Sequence, residues 1–292
     1  MKINSLKTPP LFLQRMITLF VILSMSAVTY AQKVSMEVVE IIDTRVRSRI
    51  TDLEGATLLI RIEVTGLETD YNRLLKPGTL TRAVDNLGNA IQIDESKYDS
   101  YSDHPILNYR LLSTERSISE ISVLEGTVKY FTPTIANKGL VNVDKPVDKL
   151  GTNLLKGKHS GIVIVILDRK KLQTLKKENE KAYKQQLDKI KKEYGPHTDS
   201  ITELNDILDD PYFGNDNELF FFFYDGEGRV MELKILNAEG ENLNFGNSVM
   251  GNHISYHLGE EPLSNKMKIE MTIESPQAIK EYPFKLEKIK LP

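Results

Sequence analysis

The chain contains no cysteine and no tryptophan. Without thiols there is no disulfide, no thiolate zinc or iron–sulfur site and no cysteine nucleophile, so the fold must be held by packing alone. Without tryptophan, the widest aromatic platform for stacking on sugars is missing, which weighs against a carbohydrate-binding sandwich. Also missing are a Gly-x-Ser-x-Gly nucleophile elbow, a phosphate loop, a dinucleotide fingerprint and a His-Glu-x-x-His zinc motif. No Leu-Pro-x-Thr-Gly sorting motif is present, which argues against covalent wall anchoring. Beyond the N-terminus, no apolar run approaches the about 20 residues that a membrane-spanning helix needs. Basic excess is absent too: 38 Lys+Arg stand against 41 Asp+Glu.

The N-terminus has the three parts of a secretory signal peptide. Lys2, Lys7 and Arg15 form a positive lead, Met16 to Val28 is an apolar stretch, and Thr29-Tyr30-Ala31 puts small residues before a cleavage point. The apolar stretch is too short to span a bilayer, and no cysteine follows it for lipid attachment. Cleavage near Ala31 predicts an exported protein, periplasmic or extracellular, with no membrane span in the mature chain. The remaining residues hold 35 Lys+Arg and 41 Asp+Glu, and this acidic balance argues against nucleic-acid binding, which needs a basic face.

Alternation dominates the mature chain. In Leu58 to Val64 the apolar Ile60, Ile62 and Val64 alternate with Arg61 and Glu63, and Met267 to Glu274 repeats the pattern; both predict half-buried strands. Gly161 to Leu167 and Leu219 to Tyr224 are continuous apolar runs, as expected of strands covered on both faces. Asp85-Asn86-Leu87-Gly88-Asn89, Asp225-Gly226-Glu227-Gly228 and Asn237-Ala238-Glu239-Gly240-Glu241 predict turns.

Two of those turns open an internal repeat. Asp85, Gly88 and Ile91 match Asn237, Gly240 and Leu243; Leu107 to Leu111 matches Ile254 to Leu258, with Tyr109 against Tyr256; Glu120 to Val123 matches Lys268 to Met271. Turn, strand, strand and strand recur in the same order, which predicts duplication. The fold expected is mainly β: two tandem immunoglobulin-like β-sandwich domains, 32–157 and 158–292, the second carrying a helical hairpin insertion at 169–210. The last strand, Tyr282 to Pro292, resembles the closing strand of an immunoglobulin-like sandwich and is expected to complete the second domain.

The insertion reads as one long helix followed by a short one. Asp168 is placed to cap the first, and Leu172, Leu175, Tyr183, Leu187, Ile190 and Tyr194 form one stripe interrupted only by Asn179. Gly195-Pro196 stops it, and Ser200-Ile201-Thr202-Glu203 has the form of a capping box. Ten Lys/Arg against four acids over 169–194 make this helix basic. A solvated face laced with Glu–Lys pairs accounts for that charge, and a partner surface is the alternative.

Candidate binding residues concentrate in 94–104, a loop rich in carboxylates, hydroxyls and tyrosine. Tyr98, Asp99, Tyr101, Asp103 and His104 are the expected ligand or partner contacts, since loops on a rigid sandwich are where recognition resides. The spacing does not fit a calcium loop. His253 and His257 are expected, with Ser255, on an exposed polar strand face. A second acidic loop, Asp209 to Glu218, offers Asp216 and Asn217 as oxygen donors, with Tyr212 and Phe213 as aromatic surface, although turn formation explains it equally. No cofactor, metal site or catalytic residue is predicted. The leading expectation is an exported non-catalytic binding or scaffold protein of the cell envelope with a protein or glycan partner. The alternative is an exported hydrolase acting on polysaccharide or peptide through paired carboxylates.

Overall fold

The computed structural model describes residues 33–44, 57–94, 100–112, 117–210, 213, 217–243 and 245–292; the signal-peptide expectation falls outside them. The protein is mainly β. Its strands are β1 (Ser35–Thr44), β2 (Thr57–Thr65), β3 (Leu74–Asp85), β4 (Ile106–Leu112), β5 (Glu120–Phe131), β6 (Leu140–Asp144), β7 (Ile162–Leu167), β8 (Glu218–Asp225), β9 (Val230–Leu236), β10 (Asn247–Met250), β11 (His253–His257), β12 (Lys268–Ile273) and β13 (Ile279–Lys290). Between β7 and β8 lie α1 (Arg169–Glu178), α2 (Glu180–Tyr194) and α3 (Ser200–Asp209). No helix among the described residues is long and apolar enough to cross a membrane.

Four antiparallel sheets pack in two pairs, consistent with the β-sandwich class. Sheets β1-β2-β4 and β13-β5-β3 enclose one core, with Ile60, Ile62, Leu111, Ile121 and Leu124 at its centre. Sheets β10-β11-β8-β7 and β6-β12-β9 enclose the other, with Ile164, Ile166, Phe221, Ile235 and Ile269. The alternation works as its period requires: Leu58, Ile60, Ile62 and Val64 of β2 are all buried, while Arg61 and Glu63 are not. Burying each such side chain contributes about 1.5–3 kcal/mol.

The matched turns of the repeat coincide bond for bond. Asp85 Oδ1 accepts from the amides of Leu87 and Asn89, both at 2.8 Å. Asn237 Oδ1 accepts from those of Glu239 at 3.0 Å and Glu241 at 2.8 Å. Gly88 and Gly240 adopt φ of 88° and 87°, the left-handed region that glycine enters at least cost. Pairing extends the correspondence: β3 pairs with β5 and β4 with β2, as β9 pairs with β12 and β11 with β8.

The closing strands depart from expectation. β13 does not complete the second unit; it runs along β5, from Ile279 opposite Phe131 to Lys290 opposite Glu120. β6, expected in the first unit, pairs instead with β12. Each strand sits where the other is expected. The chain meets itself where they cross: Thr132 N donates to Ala278 O, and Ile273 N at the end of β12 donates to Gly139 O, both at 2.9 Å. Gly139 is required there, because a Cβ at that position would lie 2.7 Å from Pro133 Cα and 2.9 Å from Ala278 Cβ. The sequence pattern of β13 marks a strand and which of its residues face inward, but carries nothing that selects β5 over β12 as neighbour.

The three helices form a third layer over the outer face of β7, β8 and β11. Val165, Leu167, Phe220 and Phe222 meet Leu172, Tyr183, Leu187, Ile190, Tyr194 and Leu204 there. Both faces of β7 and β8 are thus covered, as their continuous apolar runs imply. Asp168 caps α1, its Oδ1 accepting from Lys171 N at 2.9 Å. The long helix, however, breaks at Asn179. That residue closes α1 and caps α2, its Oδ1 accepting from Ala182 N at 3.0 Å. The one polar interruption of the stripe is the break itself, because Asn competes for backbone donors. The expected capping box at Ser200 does not form: Ser200 Oγ meets Asn252 Nδ2 at 3.1 Å, and Glu203 accepts from Asn252 N at 3.3 Å. Both box residues tie α3 to the β10–β11 turn instead.

Candidate functional site

Within 94–104, Tyr98 and Asp99 lie outside the described residues. The other three expected contacts are not brought together. Tyr101 turns inward, its ring 5.1 Å from that of Phe131 and under Lys76 Nζ at 5.2 Å. Burial, with the nearby Glu274 carboxylate, raises its phenol well above the ordinary range. Ser102 anchors the segment by exchanging two backbone bonds of 2.8 Å with Leu75. Asp103 and His104 stand in solvent, 3.9 Å apart.

His253 is placed differently from expectation. His253 and Ser255 are not on an exposed face; both are fully buried, at 0% exposure, under the helical layer. His253 packs against Phe220 and Phe222, with Tyr194 stacked on Phe222 at 3.7 Å. Its Nε2 lies 3.1 Å from Tyr194 Oη, while Nδ1 is 3.6 Å from Glu203 Oε2 and has no hydrogen-bond partner among the described residues. The tautomer that suits both neighbours carries its proton on Nδ1 and accepts from Tyr194 at Nε2. Burial pushes the imidazole down to about 4 and the Tyr194 phenol far up, so both are neutral at neutral pH. The signal for this placement was in the neighbouring strand: a β8 run that is apolar on both faces requires cover, and that cover extends over β11. His257 is half-buried, its Nε2 3.3 Å from Ser248 Oγ on β10.

Beside this group, Arg169 Nε of α1 donates to Glu218 Oε1 of β8, and Ser255 Oγ donates to Glu218 Oε2. The side chains of Arg169 and Glu218 are nearly enclosed. This ion pair is invisible in the sequence, because its members lie on opposite sides of the helices and neither belongs to a motif.

The acidic loop is divided in role. Asp209 pairs with Lys176 at 2.7 Å, Phe213 is buried edge-on against Phe220, and Asn217 Nδ2 donates to Gly259 O at 3.1 Å. Tyr212 and Asp216 lie outside the described residues. The basic helices pair internally, as Lys184 does with Glu180 at 2.6 Å. Among the described residues no three His, Asp or Glu side chains converge as metal ligands. Chemically, the Tyr194–His253 and Arg169–Glu218 groups hold the helical layer to the sheet. Compared with protein-family models, curated proteins and solved structures, the chain matches none.

Proposed function

We propose that the protein is an exported, non-catalytic binding or scaffold module of the cell envelope. On this reading it is two immunoglobulin-like sandwiches, the second carrying the 169–210 helices as an insertion, and its partner is a protein or a glycan. The observation that carries it is where the two kinds of side chain lie. The ionisable groups that acid–base chemistry would need in a cleft, Arg169, Glu218, His253 and Tyr194, bond one element to another out of solvent. Large apolar side chains stand exposed along sheet edges instead, Phe245 at 70% and Val249 at 61% beside and on the edge strand β10, and Val39 on the edge strand β1. Exposed apolar edges favour association rather than turnover.

The test pairs two assays on the chain from Gln32 onward. Saturable retention on purified envelope glycan or envelope protein, with no turnover of chromogenic glycoside, ester and peptide substrates, is expected. Turnover that a single Asp or Glu substitution abolishes would replace this reading with the hydrolase.

A further inference from the structure

The duplication allows the two units to be compared position by position, and one edge differs. Tyr109 of β4 lies opposite Ile60, and its counterpart Tyr256 of β11 lies opposite Leu219. Ile62 and Val64 therefore correspond to Phe221 and Phe223. Their partners across the sheet follow: Val38 and Met36 of β1 stand where Ile166 and Ile164 of β7 stand.

In the second unit this edge is closed. The segment 151–154 pairs antiparallel with β7, Gly151 N donating to Ile166 O at 2.7 Å and Leu154 N to Ile164 O at 2.9 Å, and the chain then folds into turns. Leu154 and Leu155 turn into the core, and Ile164 and Ile166 are sealed at 0% and 1% exposure. In the first unit no described strand pairs with the outer edge of β1. Met36, Val38 and Ile41 remain partly exposed. Together with Leu286 and Ile289 of β13 they line a groove of about 440 Å³ between the two sheets.

We infer that this groove receives a segment of a partner polypeptide that pairs antiparallel with β1 over a few residues and then turns into the groove, as the chain does from Gly151 to Leu155 beside β7. The segment brings two adjacent large aliphatic side chains into the groove and carries no acids alongside β1. Main-chain bonds to the carbonyls of Met36 and Val38 supply affinity, and the aliphatic pair supplies selectivity. A second copy of β1 fits poorly: Glu37, Glu40 and Asp43 line that strand, and pairing it with itself sets carboxylates together. The inference deepens the binding-module reading by naming a surface and the chemistry of its partner.

The probe is a synthetic peptide of the chain's own residues 150–159, added to the chain from Gln32 onward. Saturable binding with slowed amide exchange in β1 is expected. A peptide carrying Leu154→Asp and Leu155→Asp should bind at least tenfold more weakly. On the protein side, Val38→Glu should weaken binding as much; Met36→Glu, nearer the strand end, serves if the first variant does not fold. Four results overturn the inference: no binding, slowed exchange on β7 in place of β1, β1 amides already protected without peptide in a monomer, or a concentration-dependent dimer that protects them. Turnover is scored separately. Peptide binding in an enzyme keeps the groove and sinks the non-catalytic reading, whereas envelope retention without peptide binding does the reverse.

Discussion

Protonating His253 should unfasten the helical layer, and the effect has a calculable size. Burial lowers its imidazole from the ordinary 6.5 to about 4. At about 1.4 kcal/mol per pH unit, that depression is worth about 3 kcal/mol. In the unfolded chain the imidazole takes up its proton near pH 6.5, whereas the folded protein resists until about 4. The unfolded state therefore binds more protons between those values. Stability from this group is fully present above pH 6.5, falls as pH drops through the interval, and levels off below 4. The Glu203 carboxylate, 3.6 Å from Nδ1, opposes the effect, but its side chain is 42% exposed and water screens it. A loss of about 3 kcal/mol is a large part of the 5–15 kcal/mol that holds a typical domain. Urea unfolding at a series of pH values from 7.5 to 3.5 reads it, with the Tyr194→Phe/His253→Phe double variant as reference. Replacing both partners by apolar rings of similar shape leaves no buried polar group unpaired, so stability at pH 7.5 should change little. The reference should then lack the loss between pH 6.5 and 4. Equal losses in wild type and double variant would refute the reasoning, since the decline would then belong to carboxylates elsewhere.

Arg169→Met removes the counter-charge of the nearly enclosed Glu218 carboxylate and should cost about 3–5 kcal/mol; adding Glu218→Leu should restore only part of it, because the buried Ser255 hydroxyl then loses its acceptor, and Ser255→Ala in the same background should recover more, as urea midpoints will show. Asn179→Ala should cost about 1 kcal/mol through loss of the cap on α2; a gain would mean that α1 and α2 form one continuous helix in solution. Gly88→Ala and Gly240→Ala should each cost about 1–2 kcal/mol, because both positions are left-handed and the added methyl meets nothing within 4 Å. Unequal costs in thermal unfolding would count against the equivalence of the two turns.

Local pattern made the strands and turns legible before the structure. The period of two in β2 and β12, the Asp85 and Asn237 turns, and the double-faced runs of β7 and β8 each followed from a few adjacent residues. What escaped depends on residues far apart in sequence. Asn179 looked like a flaw in a stripe because helical spacing continues in register across the break. Ser200 and Glu203 had the form of a capping box, yet Asn252, distant in sequence, claims both side chains. The alternation in β11 points His253 to solvent, but the helical layer above it, set by residues 170–204, buries it. Among the described residues of the loop proposed for recognition, Asp103 and His104 stand in solvent, and Tyr101 faces inward against Phe131 and Lys76. Nothing in the sequence of β1 alone records that its counterpart β7 has a cover, so the groove beside β1 is not legible there.

The crossed closing strands carry a consequence for how the halves are held together. β5 ends where β13 begins, and β12 ends where β6 begins, as Phe131 opposite Ile279 and Thr272 opposite Leu140 show. Two plain hairpins, β5–β6 and β12–β13, would satisfy the same local geometry without crossing. With the crossing, each half of the chain supplies a strand that the other half's core needs: Phe284 and Ile289 are buried in the first unit, Val141 and Val143 in the second. A protease site inserted after Gly157, where neighbouring residues are exposed and an added side chain meets nothing, cuts the chain between β6 and β7. The pieces should co-elute as one species of unchanged size in native buffer and part only in denaturant, because separation leaves the edges of β5 and β12 bare and their cores open. Two sandwiches joined like beads, each closed by its own last strand, would fall apart on cutting. Separation in native buffer would therefore assign β13 to β12 and dissolve the exchange.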